Sequence, residues 1–268
     1  MNEKILEVKN ITQCFGGLTA VCEVSMEVYK NQIVGLIGPN GAGKTTVFNV
    51  ITGLYTPTSG KIIFKGKDIT GEPVHKITRC GIARTFQNIR LFNSLSVLDN
   101  VRIAMHSRVD SNILNAVFCL PRNTRSEKKI TEECMELLHL MSLASKADDP
   151  AGSLPYGSQR RLEIIRAMAT GARMLMLDEP AAGMNEKETA ELMELIHKVR
   201  DMDYTILLIE HDMKVVMNVC ENIYVQNYGK LIANGTPMEI QNNSLVIEAY
   251  LGKEVLEDAD LGDCGSCG

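Results

Sequence analysis

Residues 38–46 read GPNGAGKTT and match G-x-x-x-x-G-K-[ST] through Gly38, Gly43, Lys44 and Thr45. A loop of this kind wraps backbone N–H groups around a chain of phosphates at the positive end of a helix. Lys44 would reach the outer phosphates and Thr45 would ligate Mg²⁺, with Pro39, Asn40, Gly41, Ala42 and Thr46 completing the cradle. A second chemical pair, Asp178 and Glu179, closes the apolar run MLMLDEP at 174–180. At the carboxyl end of a buried strand, where ligands of open α/β sheets gather, Asp178 would hold Mg²⁺ through water. Glu179 would orient and deprotonate an attacking water. Taken alone, the two acids could as well cap the helix beyond Pro180; after a phosphate loop the catalytic reading prevails. A third stretch, SLPYGSQRR at 153–161, opens the helical text LEIIRAMAT. Such an entry is either punctuation or an anion site.

These residues need elements to hold them. QIVGLIG at 32–38, RMLMLDE at 173–179 and YTILLIE at 204–210 are almost continuously apolar, as strands buried on both faces are. Each precedes turn residues and helical periodicity, which predicts βα units around a parallel sheet. KILEVKNIT, CEVSMEVYK and SGKIIFKGKDI alternate instead, which predicts an antiparallel lobe near the N-terminus. From about 90 to 153 the strand signal gives way to helical periodicity in SVLDNVRIAMHS and EKKITEECMELLHLMSL, with Pro121 and Arg122 breaking the text between them. The fold class is α/β, with a helical lobe inserted into the core.

Composition narrows the function classes. The 268 residues are 45% hydrophobic, enough for one substantial core, and the formal net charge of −5 argues against a nucleic-acid partner. The charged opening MNEKILEVKN has no signal-peptide pattern, and the apolar stretch NILNAVFCL at 112–120 is too short to cross a bilayer. A membrane role is therefore expected through a partner. Six of the eight cysteines stand alone in apolar or helical text and read as small buried hydrophobes. Cys264 and Cys267 form a C-x-x-C in the acidic tail 253–268, which supplies half of a structural zinc site. A flexible tail is the expectation, with a shared metal or redox site as the alternative.

In this order and spacing, the motifs resemble the ATP-binding subunit of an ABC transporter. The likeness spans residues 1–252 as a single ATPase domain, with a P-loop NTPase core about 1–88 and 160–240 and a helical subdomain about 89–159. The resemblance implies ATP and Mg²⁺ as cofactors. It makes Leu154, Pro155, Tyr156, Gly157 and Ser158 the signature turn, which would hold the γ-phosphate of an ATP bound to a second ATPase subunit, identical or paralogous. It makes Gln87, in RTFQNIRLF, the residue that senses Mg²⁺ and the attacking water, and His211, in LIEHDM, a γ-phosphate switch. Phe15, in QCFGG, would place its ring against adenine. Pro155, Tyr156 and Ser158 depart from the L-S-G-G-Q pattern of the family, and Asn185 in AAGMN stands where many members have Asp.

The branch is most like the importers of branched-chain amino acids, with lipopolysaccharide export a close alternative. The implied partners are integral-membrane permease subunits and, indirectly, a solute-binding protein. The implied location is the cytoplasmic face of the membrane, through the permease. Rival readings are a DNA-repair ATPase, which would insert long coiled coils absent here, and a degenerate nucleotide-binding regulator, which the retained Lys44, Asp178, Glu179 and His211 disfavour.

Overall fold

The computed structural model describes residues 3–106 and 121–250, and the chain divides into two compact units. The stretch 112–120, Cys119, and the tail with Cys264 and Cys267 lie outside the described residues.

The first unit joins residues 1–72 to 207–268. Strands β1 (Lys4–Phe15) and β2 (Leu18–Tyr29) form a long antiparallel hairpin through Gly16 and Gly17. β1 also pairs antiparallel with β4 (Ser59–Phe64), and β5 (Lys67–Asp68) borders β4, giving the order β2-β1-β4-β5. Alternation places Leu6, Val8, Ile11, Val24, Met26 and Val28 inside. Asn10 and Glu23, both at positive φ, lie where the β1–β2 register shifts, so the hairpin bends at a bulge. Strand β3 (Ile33–Ile37) is buried at every residue and runs parallel to β9 (Asn222–Asn227). β9 in turn hairpins into β10 (Lys230–Gly235). Helix α1 (Lys44–Ile51) follows β3, and strand β8 (Thr205–Ile209), also fully buried, carries the chain from the second unit into the first.

The second unit, Pro73–Ile206, holds helix α2 (Val74–Cys80) and strand β6 (Ile82–Arg84), which is parallel to the fully buried β7 (Met174–Asp178). Helices α3 (Val97–His106), α4 (Pro121–Leu140) and α5 (Tyr156–Ala169) pack against one another. Val97, Val101 and Met105 make the buried stripe of α3 at four-residue spacing, and the Cys134 thiol of α4 meets the Met105 sulfur at 3.5 Å. Helix α6 (Glu186–Asp201) starts in a capping box made by Asn185 and Glu188.

Pro121 opens a helix, since the first helical position needs no N–H donor, and the stretch 107–120 before it lies outside the described residues. One expectation changes. Among the described cysteines, Cys134 and Cys220 are buried as expected, whereas Cys14, Cys22 and Cys80 are half-exposed. Cys14 and Cys22 fall on the half-exposed positions of the alternating strands β1 and β2.

Candidate functional site

In the first unit, the phosphate loop joins β3 to helix α1 (Lys44–Ile51). Its glycines are required by geometry. A Cβ on Gly38, at φ +150°, would fall 1.9 Å from the Gln226 carbonyl oxygen. One on Gly43, at φ +102°, would fall 2.5 Å from the Ala20 carbonyl oxygen. The first helical bond runs from the Val47 N–H to the Gly43 oxygen at 3.1 Å, so the amides of Lys44, Thr45 and Thr46 come before the helical ladder begins. These are the groups an anion would take. The buried Lys44 ammonium donates to the Gly38 and Pro39 carbonyls at 2.7 and 2.9 Å, which fixes the side chain along the loop. Asn40 and Gly41 are exposed at the tip, and Ala42 is buried beneath.

Two aromatics and a histidine belong to the same unit. Phe15 ends β1 with 42% of its surface exposed and meets Tyr55 edge to face, with ring centroids 5.1 Å apart. His211 is exposed just after β8, and its backbone N–H donates to Glu210. The sequence reading did not single out Tyr250. Burial pushes its hydroxyl up to about 12, with a backbone hydrogen bond from Gly38 acting the other way. No residue pattern marks this contact; it needs the chain to return to the phosphate loop more than 200 positions later.

The second unit gathers Gln87, Asp178, Glu179 and the signature turn. The Gln87 amide donates to Glu179 Oε2 at 2.8 Å. Glu179 sits at φ 49° directly before Pro180, a left-handed conformation that a non-glycine residue adopts at a cost of about 1–3 kcal/mol. The end of β7 therefore turns sharply at the position that carries the candidate base. Asp178 is buried, and its Oδ2 accepts from Arg84 at 2.6 Å.

Helix α5 begins at Tyr156, with Pro155 as an N-cap that offers no side-chain acceptor, and its first helical bond runs from the Gln159 N–H to the Pro155 oxygen. The amides of Tyr156, Gly157 and Ser158 thus stand ahead of the ladder, as those of Lys44–Thr46 do. Leu154 is buried behind the turn, Pro155 and Tyr156 are exposed, and Ser158 is half-exposed. Gly157 is buried, and a Cβ there would meet the Glu188 carboxylate at 3.2 Å.

Sequence reasoning also missed the arginines that hold the segment 86–90. Arg160, 2% exposed, donates to the carbonyls of Phe86 and Gln87, to Glu163 at 3.2 Å and to the Tyr156 hydroxyl at 3.1 Å. Glu163 accepts from the Phe86 N–H, and burial raises its pKa against the pull of that bond and of Arg160. Arg166 donates to the Arg90 carbonyl. Arg160 and Glu163 lie three apart on one helix face, so their pairing was visible in QRRLEI. Their use as a clamp on a distant loop was not.

A family model described as ABC transporter matches residues 21–182, and one described as branched-chain amino acid ATP-binding cassette transporter matches residues 230–255. The chain is 50% identical, over 254 residues, to the high-affinity branched-chain amino acid transport ATP-binding protein BraF of Pseudomonas aeruginosa. That alignment spans 94% of this chain and all of BraF. LivG of Escherichia coli, described in the same words, is 47% identical over the same shares. Among solved structures, the ADP conformation of MJ1267, an ATP-binding cassette of an ABC transporter, superposes with a TM-score of 0.82 at 32% identity. It covers 93% of this chain and 99% of its own.

Proposed function

From the premise that this chain belongs to the ABC transporter family and is an ATP-binding ATPase, we propose that it powers the import of branched-chain amino acids. The observation that carries the substrate class is the end-to-end likeness to BraF and LivG, joined to the separate match at 230–255. Nothing in the nucleotide site reads a transported solute, so the assignment rests on the whole chain rather than on any side chain.

In this reading, the phosphate loop 38–46 holds the ATP phosphates through the amides at the start of α1 and through Lys44. Phe15, half-exposed at its strand end, covers adenine. Glu179 is the general base, and its bond to Gln87 ties it to the segment the arginines clamp. His211 contacts the γ-phosphate. In the first unit Thr45 offers a hydroxyl, and in the second Gln87 and Asp178 offer an amide and a carboxylate, each a hard oxygen donor of the kind Mg²⁺ takes. Bound Mg²⁺ would neutralise charge on the phosphates. The signature turn Leu154–Ser158 serves the nucleotide of a second ATPase subunit, because one chain carries one phosphate loop and one such turn.

No helix among the described residues is long and apolar enough to cross a membrane. Because its relatives BraF and LivG are transport ATP-binding proteins, the chain is proposed to dock, on the cytoplasmic face, against permease subunits fed by a solute-binding protein. The segment NIRLF at 88–92 is the proposed contact, since Phe92 within it and Leu95 just beyond it are exposed apolar residues. Reconstitution with the permease and binding protein in vesicles tests this. ATP-dependent uptake of leucine, isoleucine or valine that disappears with Lys44→Ala is expected. Hydrolysis without uptake of any of them would overturn the substrate assignment.

A further inference from the structure

Asp178 is 4% exposed, and its carboxylate is not left to find a counter-charge in solvent. The Arg84 guanidinium, with 7% of its side chain exposed, donates to Oδ2 at 2.6 Å. Both residues are placed by the parallel pairing of β6 (Ile82–Arg84) with β7, in which Arg84 stands opposite Met176. The neighbouring Thr85 reinforces the alignment twice, its N–H donating to the Met176 oxygen at 3.0 Å and its hydroxyl accepting from the Asp178 N–H at 3.3 Å. Arg84 also lies over the Phe86 ring, 5.4 Å from its centroid, so the guanidinium is held on one face by an aromatic and at its tip by the carboxylate. A buried carboxylate stripped of such a partner is an uncompensated charge that is free to reorient.

We infer that Arg84 is a positioning residue for the cation site, fixing the orientation of Asp178 through the bond to Oδ2. Each carboxylate oxygen has two lone-pair directions, so the bond to Arg84 leaves the group able to accept from a hydrated cation. The planar fork of arginine suits this task better than the point charge of lysine. This inference rests on the reading of Asp178 as a ligand of Mg²⁺, and the test separates the two.

The measurement is the affinity of the full chain for a fluorescent ATP analogue in Mg²⁺ and in EDTA, expressed as the ratio of the two. Residues that orient a metal ligand typically contribute about 10–100-fold in metal affinity. Arg84→Gln is therefore expected to lower the Mg²⁺ ratio about tenfold while leaving the EDTA affinity near wild type, and Arg84→Lys to restore part of it. In an Asp178→Asn background, Arg84→Gln should produce no further fall, which a general packing role would not predict. If Asp178→Asn lowers the ratio and a folded Arg84→Gln does not, Arg84 has no such role. If Asp178→Asn leaves the ratio unchanged, the ligand reading fails and this inference falls with it. Should Arg84→Gln not fold, Arg84→Lys decides. A ratio there at or above wild type, or failure of both variants to fold, makes Arg84 structural and overturns the proposal.

Discussion

Glu179 is held in a left-handed conformation before a proline, and its carboxylate is tied to Gln87 at 2.8 Å. Strain of this sort persists only where neighbouring structure enforces it, here the buried strand β7 on one side and Pro180 on the other. Gln87→Ala should therefore slow hydrolysis without weakening nucleotide binding measured in EDTA, where its part in holding Mg²⁺ does not enter, because it frees the base but leaves the phosphate loop untouched. Steady-state turnover beside equilibrium binding checks this, and a loss confined to binding would contradict it. Cys220 supplies a second residue-scale prediction. Burial pushes its thiol up to about 12 from an ordinary value near 9. An acid whose folded pKa is raised stabilises the fold fully below the unfolded value and loses that contribution as pH climbs through the folded one. Denaturant midpoints should fall between about pH 9 and 12, and Cys220→Ala should flatten that fall.

At the scale of elements, the start of helix α5 decides how the altered signature works. Pro155 contributes neither an N–H nor a side-chain cap, so the groups left to meet the proposed anion are the amides that follow it. Pro155→Ala should cost little ATPase activity, Ser158→Ala more, and Gly157→Asp nearly all of it while each chain still binds ATP. The structure adds a reason within one chain, since an Asp at 157 would point at the Glu188 carboxylate. Gly157→Ala separates the causes: it crowds Glu188 without adding charge and should retain more activity than Gly157→Asp. Equal loss in the two would place the defect in packing. The phosphate loop, the continuous apolar strands and the helical stretch were legible because each is written in a local period or a fixed spacing. The clamp of Arg160 and Arg166 on residues 86–90, the Arg84–Asp178 pair and the Gly38–Tyr250 contact were not. They join positions about 75 to 210 apart, and only the pairing of strands and packing of helices brings such positions together.

At the scale of the whole molecule, this chain is proposed to hydrolyse ATP with Glu179 as the base, in a dimer of ATPase subunits. Each subunit would supply its phosphate loop to one nucleotide and its signature turn to the other. Loss of a positioned general base typically costs about 10²–10⁴ in rate. It should not weaken the contacts that close the dimer, so ATP should accumulate where it is normally consumed. The most direct measurement pairs turnover with light scattering on Glu179→Gln, with the permease present if the subunit is silent alone. The expected result is ATP binding near wild type, turnover lower by orders of magnitude and a stable ATP-bound dimer. Turnover near wild type in that variant would contradict it.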